Sequence, residues 1–169
     1  KYLVIVAMLI DHIAWAFVPM QSLLGQVMHF IGRLTGPTMA YFLVEGYLHT
    51  RNVKKYAIRL GFFALLSWLP FTLFEFGVLP IAIHTGKVVG GISFYLEAMN
   101  ISVAVYPFFG VVYTLFLSLL AVWLWDKGRC PKWCKILGIM GLCLLSTFGD
   151  WPIFDVIYAL FFFVFRKQT

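Results

Sequence analysis

The chain has 169 residues, 62% of them hydrophobic and 12% charged, with a mean hydropathy of +0.91. A soluble domain is nearer half apolar and a quarter charged, so this balance belongs to a lipid-embedded chain with little sequence left for a separate soluble domain. The net charge of +6 does not point to nucleic acid, because the positive residues gather in short segments between apolar runs and no groove-binding helix or arginine-rich tail accompanies them.

Residues 2–18 form an apolar run that ends before Pro19 and predict a first crossing helix. Residues 23–30 read either as an interfacial helix or as the beginning of a second crossing. The body of that second helix is expected over 30–48, with Arg33, Pro37, Glu45 and His49 at its polar or marginal positions. A third helix over 56–76 carries Pro70, where a kink is expected. Residues 77–100, broken by Gly86, Lys87, Gly90, Gly91 and Glu97, predict a long outer connection rather than a span. A fourth helix begins at Ile101 or Val105 and ends at Trp125. The basic turn 126–132, a fifth helix over 133–148 and a sixth over 153–165 complete the chain.

The expected fold is therefore all-α: one integral membrane domain over 1–169, a polytopic bundle of about six transmembrane helices. The start in an apolar run at Lys1 without a Met reads as the loss of a few residues, and the stop at Thr169 reads either as the end of a six-helix protein or as a cut in a longer one. Placing both termini inside puts eleven of the thirteen Lys and Arg residues in cytoplasmic segments; only Arg33 and Lys87 lie elsewhere. That bias predicts an N-in, C-in topology with 77–100 outside. Cys130, Cys134 and Cys143 have no His or acidic residue at metal-ligand spacing, so free thiols and no metal are expected.

Charge inside a bilayer costs a few kcal/mol by insertion scales, so Asp11, His12, Arg33 and Glu45 each require a reason, with His29 and His49 nearer helix ends. Asp11 and His12 point about 100° apart on a helix, so one can line a cleft while the other meets a neighbouring helix. His12 suits a general base whose tautomer a carboxylate fixes. Equally, Asp11 suits a pairing with Arg33 that assembles the bundle. Arg33 lies between Gly32 and Gly36, a small-xxx-small pair that lets a neighbour approach closely. Glu45 and His49 share a face at i and i+4, beside Arg51, Lys54, Lys55 and Arg59. That basic cluster fits an anchor for anionic lipid or a dock for cofactor phosphates. Asp150 and Asp155, flanking Trp151, are expected at an outward-facing polar mouth, with His84 and Lys87 as surface residues.

Several of these residues fall in recognisable strings: Leu9-Ile10-Asp11-His12-Ile13, Ile31-Gly32-Arg33-Leu34, and Phe42-Leu43-Val44-Glu45-Gly46-Tyr47-Leu48-His49-Thr50-Arg51-Asn52. Lys55-Tyr56, Arg59-Leu60, Val112-Tyr113-Thr114-Leu115-Phe116 and Gly149-Asp150-Trp151 continue the pattern. Together they resemble the TraX family, named for a conjugal-transfer protein that acetylates the N-terminus of pilin. The resemblance covers nearly the whole chain, and the first sixty residues carry most of its specificity. It implies a membrane acyltransferase that takes an acetyl group from cytosolic acetyl-CoA and passes it to a hydroxyl or amine of an acceptor at or across the membrane.

In that reading Arg51, Asn52, Lys54, Lys55 and Arg59 hold the phosphates of acetyl-CoA. His12 acts as general base, oriented by Asp11 or a network partner, and Arg33 stabilises charge on the thioester carbonyl. His49 with Glu45 is the rival pair. Direct transfer is expected, since no Cys or activated Ser accompanies these groups. The alternative is a small transporter or ion-coupled permease with Asp11, Arg33 and Glu45 as relay charges. Its weakness is that helices 4 and 5 hold no counterpart of the charges in helices 1 and 2. The sequence names neither the acceptor nor an oligomeric state.

Overall fold

The computed structural model describes the chain except for Lys1, Met20, Val78, 86–91, Glu97, Ala98 and Thr169. Among the described residues there are seven helices and three strands: α1 (Tyr2–Phe17), α2 (Leu23–Arg33), α3 (Thr35–His49), α4 (Val53–Phe76), β1 (Ile81–Thr85), β2 (Ile92–Leu96), β3 (Ile101–Val105), α5 (Val111–Lys127), α6 (Lys132–Ser146) and α7 (Phe154–Gln168). The chain is mostly helical.

The expected second helix is two helices, α2 and α3, that meet at Leu34. Pro37 is the cause: it has no N–H to give the carbonyl of Arg33, four residues back. In the first turn of α3 the missing donor costs nothing, since those N–H groups lack helical partners anyway. The side chains of Thr35 and Thr38 add hydrogen bonds across the break, donating to Gly32 O at 2.6 Å and Leu34 O at 2.7 Å. Ser22 caps α2 by accepting from Gly25 N, and Asn52 caps α4 by accepting from Lys55 N, both at 3.0 Å. Gly77, at φ 66, ends α4 in the left-handed conformation that favours glycine.

The all-α expectation is corrected by a three-stranded antiparallel sheet of order β1-β3-β2, with Ile81 and Ile92 both opposite Val105. Residues 101–105 are a strand, not the start of a helix, and the next helix begins only at Val111. The reason is local: β-branched Ile101, Val103 and Val105 alternate with small Ser102 and Ala104, which are buried, while the larger residues stay partly exposed. Trp68 of α4 donates its indole N–H to Tyr106 O at 3.0 Å, which fastens the end of the sheet to the helices.

The core lies between α3, α4, α5 and α7, where Leu43, Val44, Tyr47, Ala57, Leu119, Val122, Ala159 and Phe163 pack together. Two polar ties close the far end of α7: Arg166 Nε donates to Glu45 at 2.8 Å, and Lys167 Nζ to Asp126 at 2.7 Å. Tyr47 donates to the same Asp126 at 2.9 Å. The outer surface is apolar, with Ile58, Phe62, Leu65, Leu137 and Leu144 all more than half exposed. Val53–Glu75 is long and apolar enough to cross a bilayer; Tyr2–Phe17 is apolar but shorter.

Candidate active site

α2 runs back along α1, because its glycines admit what α1 presents. A Cβ on Gly32 would overlap the Asp11 carboxyl group, and one on Gly25 would lie 2.7 Å from Pro19 O. Gly36, one turn on, lies under the Trp151 ring, 2.9 Å from where its Cβ would be. The Gly32/Gly36 pair thus admits a carboxylate and an indole rather than one helix backbone.

With Asp11 seated on Gly32, its Oδ1 lies 2.8 Å from His29 Nδ1. A carboxylate has no proton to give, so Nδ1 carries the hydrogen, and in the neutral ring Nε2 is the bare, basic nitrogen. That Nε2 is buried and has no hydrogen-bond partner. An orphaned acceptor in a dry place is costly, and a substrate N–H or O–H would relieve the cost. Trp15 stands edge-on to the His29 ring, with centroids 5.6 Å apart.

His12 lies on the same side of α1 and uses its Nδ1 locally, 2.8 Å from Met8 O. Its ring packs on Phe74 of α4 at 5.7 Å. Asp11 therefore orients His29, and His12 draws its orientation from the backbone. Asp11, His12, Trp15, His29 and Arg33 share one pocket of about 200 Å³ with Phe71, Phe74 and Glu75 of α4 and Asp150 and Trp151 of the α6–α7 connection. Desolvation on its inner side, with the Glu75 charge near, pushes the Asp150 carboxyl above its ordinary range. Asp155 is elsewhere: it is fully buried, accepting from Thr114 Oγ1 at 2.6 Å.

The TraX protein family model matches residues 1–168. The chain belongs to the TraX family. It is also 34% identical over 165 residues to the probable fimbrial assembly protein FimC, serogroup H1, of Dichelobacter nodosus, a match that spans 95% of this chain and 58% of that protein. The chain thus covers little more than half the length of that curated relative. No solved structure matches it. Family membership and the apolar exterior together make it a membrane protein.

The remaining expected residues of this TraX chain fall at the opposite end of the helices. Arg51, Asn52, Lys55 and Arg59 line a groove of about 560 Å³ with Thr50, Tyr56, Leu60 and Phe63; Lys54 does not line it. Asn52 spends its side-chain oxygen on capping α4. Glu45 and His49 do not reach the pocket. Glu45 is paired with Arg166, and His49 is 75% exposed, with Nδ1 2.8 Å from Glu45 O. Lys87 lies outside the described residues. His29 was noted in the sequence only as a polar residue near a helix end and given no role, and Glu75, Trp15 and the Phe71/Phe74 wall were not placed at the site. The visible signal for His29 was the spacing of Gln26, His29 and Arg33 along one helix stripe.

Proposed function

We propose that the chain is an acyltransferase of the bacterial cytoplasmic membrane, moving an acetyl group from cytosolic acetyl-CoA to an amine or hydroxyl presented from the membrane or its outer side. The observation that carries this reading is the Asp11–His29 pair, with an unpartnered imidazole nitrogen in one pocket with the Arg33 guanidinium, where His12, Glu75 and Asp150 join an aromatic wall of Trp15, Phe71, Phe74 and Trp151. Family membership supports it, and the fimbrial relative makes a pilus or fimbrial subunit the first acceptor to try. The crossings are α1, the stacked pair α2–α3, α4, α5, α6 and α7, with both termini inside; the eleven-to-two charge partition is the support.

His29 Nε2 takes the proton of the acceptor N–H or O–H as that nitrogen or oxygen attacks the thioester carbonyl. Arg33 stabilises the negative charge that develops on the carbonyl oxygen. The tetrahedral intermediate collapses, the carbon–sulfur bond breaks, and the leaving thiolate recovers the proton from the imidazolium. The products are free thiol and acylated acceptor. Asp11 holds the ring in the useful tautomer and offsets its transient positive charge. Arg51, Lys55 and Arg59 bind the phosphates of the donor. Twelve residues of α4 separate Arg59 from Phe71, roughly 18 Å at 1.5 Å per residue, so the donor's arm must run that length along α4. The relay reading fares worse: Glu45 stands about the same distance along the chain from Arg33 and is neutralised by Arg166.

The test is transfer of labelled acetyl from acetyl-CoA by purified protein in lipid nanodiscs. The protein should release free CoA and label an amine- or hydroxyl-bearing acceptor, and His29→Gln should abolish both. CoA release unchanged by His29→Gln would overturn the reading.

A further inference from the structure

His29 and Arg33 are reached through two cavities. Besides the pocket, both line a neighbouring recess of about 350 Å³, shared with Gln26 and Phe30 of the same helix. These four stand at i, i+3, i+4 and i+7, a single stripe of the helix. Its flanks are bare and apolar: Leu23 is 79% exposed, Leu24 63%, Val27 49% and Leu34 56%.

Depth makes this stripe unusual. Because α2 packs along the second half of α1, Gln26, His29 and Arg33 lie level with the stretch from Asp11 to Pro19. In the proposed topology that is the outer half of the bilayer. Arg33 and Gln26 are exposed there, and neither side chain has a hydrogen-bond or ion-pair partner among the described residues. An unpaired guanidinium facing hydrocarbon is costly, whereas one meeting the polar head of an amphiphile is not. The pocket side differs: its wall is α4, the helix that also lines the basic groove.

We infer that the two reactants reach the His29–Arg33 row of α2 through two neighbouring cavities: the acyl donor along α4 into the pocket, and the acceptor sideways from the bilayer along the Gln26–Phe30 stripe. This rests on the acyltransferase reading, and it commits the acceptor to a class: an amphiphile with an apolar membrane segment, carrying its reactive N–H or O–H at the head of that segment. The stripe fits such a partner. Phe30 and the exposed leucines meet the apolar segment, Gln26 and Arg33 meet the polar head, and the unpartnered His29 Nε2 is the base for the proton to be removed. Both reactants are bound at once, so kinetics are sequential.

The experiment uses the full chain in nanodiscs and two acceptor probes: a short peptide, and the same peptide joined at its C-terminus to an apolar helix long enough to span. The anchored probe should be acetylated at least tenfold more efficiently. Gln26→Trp, which fills the recess from a lipid-facing position, should erase most of that preference. Leu144→Trp, a 70% exposed position on α6, controls for a bulky residue facing lipid and should preserve it. A photoreactive group at the head of the anchored probe, irradiated without acetyl-CoA, should crosslink to α2. Crosslinking to α2 without any transfer would overturn the acyltransferase reading and leave the docking surface standing. Equal use of both probes, or crosslinking confined to other helices while transfer proceeds, would overturn the lateral route.

Discussion

The Asp11 carboxyl group occupies the space that a side chain on Gly32 would take. That relationship couples the packing of α1 on α2 to the chemistry of the site, because the same carboxylate holds His29 at 2.8 Å. Gly32→Ala should therefore displace Asp11, free the His29 ring and lower acyl transfer by about a hundred-fold, the lower range for loss of a positioned base. Gly141→Ala on α6, where a Cβ meets nothing within 4 Å, is the control and should leave transfer unchanged. Full transfer by a folded Gly32→Ala protein would show that Asp11 does not orient the base.

The two pocket histidines are separable. His29→Gln should lose transfer by about a hundred-fold to ten-thousand-fold. His12→Gln should lose less, since its Nδ1 is engaged by the Met8 carbonyl rather than by a carboxylate. Titration of CoA should give similar affinities for both variants and wild type. A larger loss of transfer in His12→Gln than in His29→Gln would return the role of base to His12.

How much of this was legible varies with the physics behind each element. Asp11, His12 and Arg33 stood out because charge is expensive in apolar helices, and the structure gathers all three in one pocket. His29 was harder to see: reading the second helix from residue 30 left it in a marginal segment, and its partner lies 18 residues away on another helix. The strand at 101–105 was lost for a different reason. Five residues, four of them apolar, carry too little periodicity to separate strand from helix, and the pairing that decides it comes from 81–85 and 92–96. Pro37 was noticed, yet its consequence, a complete restart at Leu34, comes with Thr35 and Thr38 bonding across the break. The tie from Glu45 to Arg166 spans 121 residues and leaves no local trace.

The basic groove separates a donor site from a lipid anchor. Replacing Arg51, Lys55 and Arg59 together by Gln should weaken CoA binding by roughly tenfold or more, consistent with losing charge-assisted bonds at an open site. Lys54→Gln, outside the groove lining, should change it little. Added salt should weaken binding to wild type more than to the triple variant, because exposed charge attraction is screened over about 10 Å at 0.1 M. Equal calorimetric affinities for wild type and the triple variant would leave the cluster as an anchor for orientation alone.

The last prediction concerns the support beneath the Asp150–Trp151 limb of the pocket. Asp155 is fully buried, with Oδ2 bonded to Thr114 Oγ1 and Oδ1 bonded to nothing among the described residues. Ser146, also fully buried, accepts from Ile153 N at 2.8 Å, and Ile153 holds a φ of 66, a strained value for a β-branched residue. Gly149 closes tightly on the Thr114 methyl group. Thr114→Val keeps that methyl and removes only the hydroxyl, so it isolates the hydrogen bond. Leaving Asp155 with no partner should cost about 1–3 kcal/mol of stability. Adding Asp155→Leu to Thr114→Val should return part of that loss, since removing both polar partners of a buried bond is cheaper than removing one. Denaturation in mixed micelles measures the stabilities, and the acyl-transfer assay reads the loop: Thr114→Val should raise KM by shifting Asp150 and Trp151 while the Asp11–His29 pair stays in place. If Thr114→Val matches wild type in both measurements, the buried bond does not hold the limb, and the strain at Ile153 is carried by Ser146 alone.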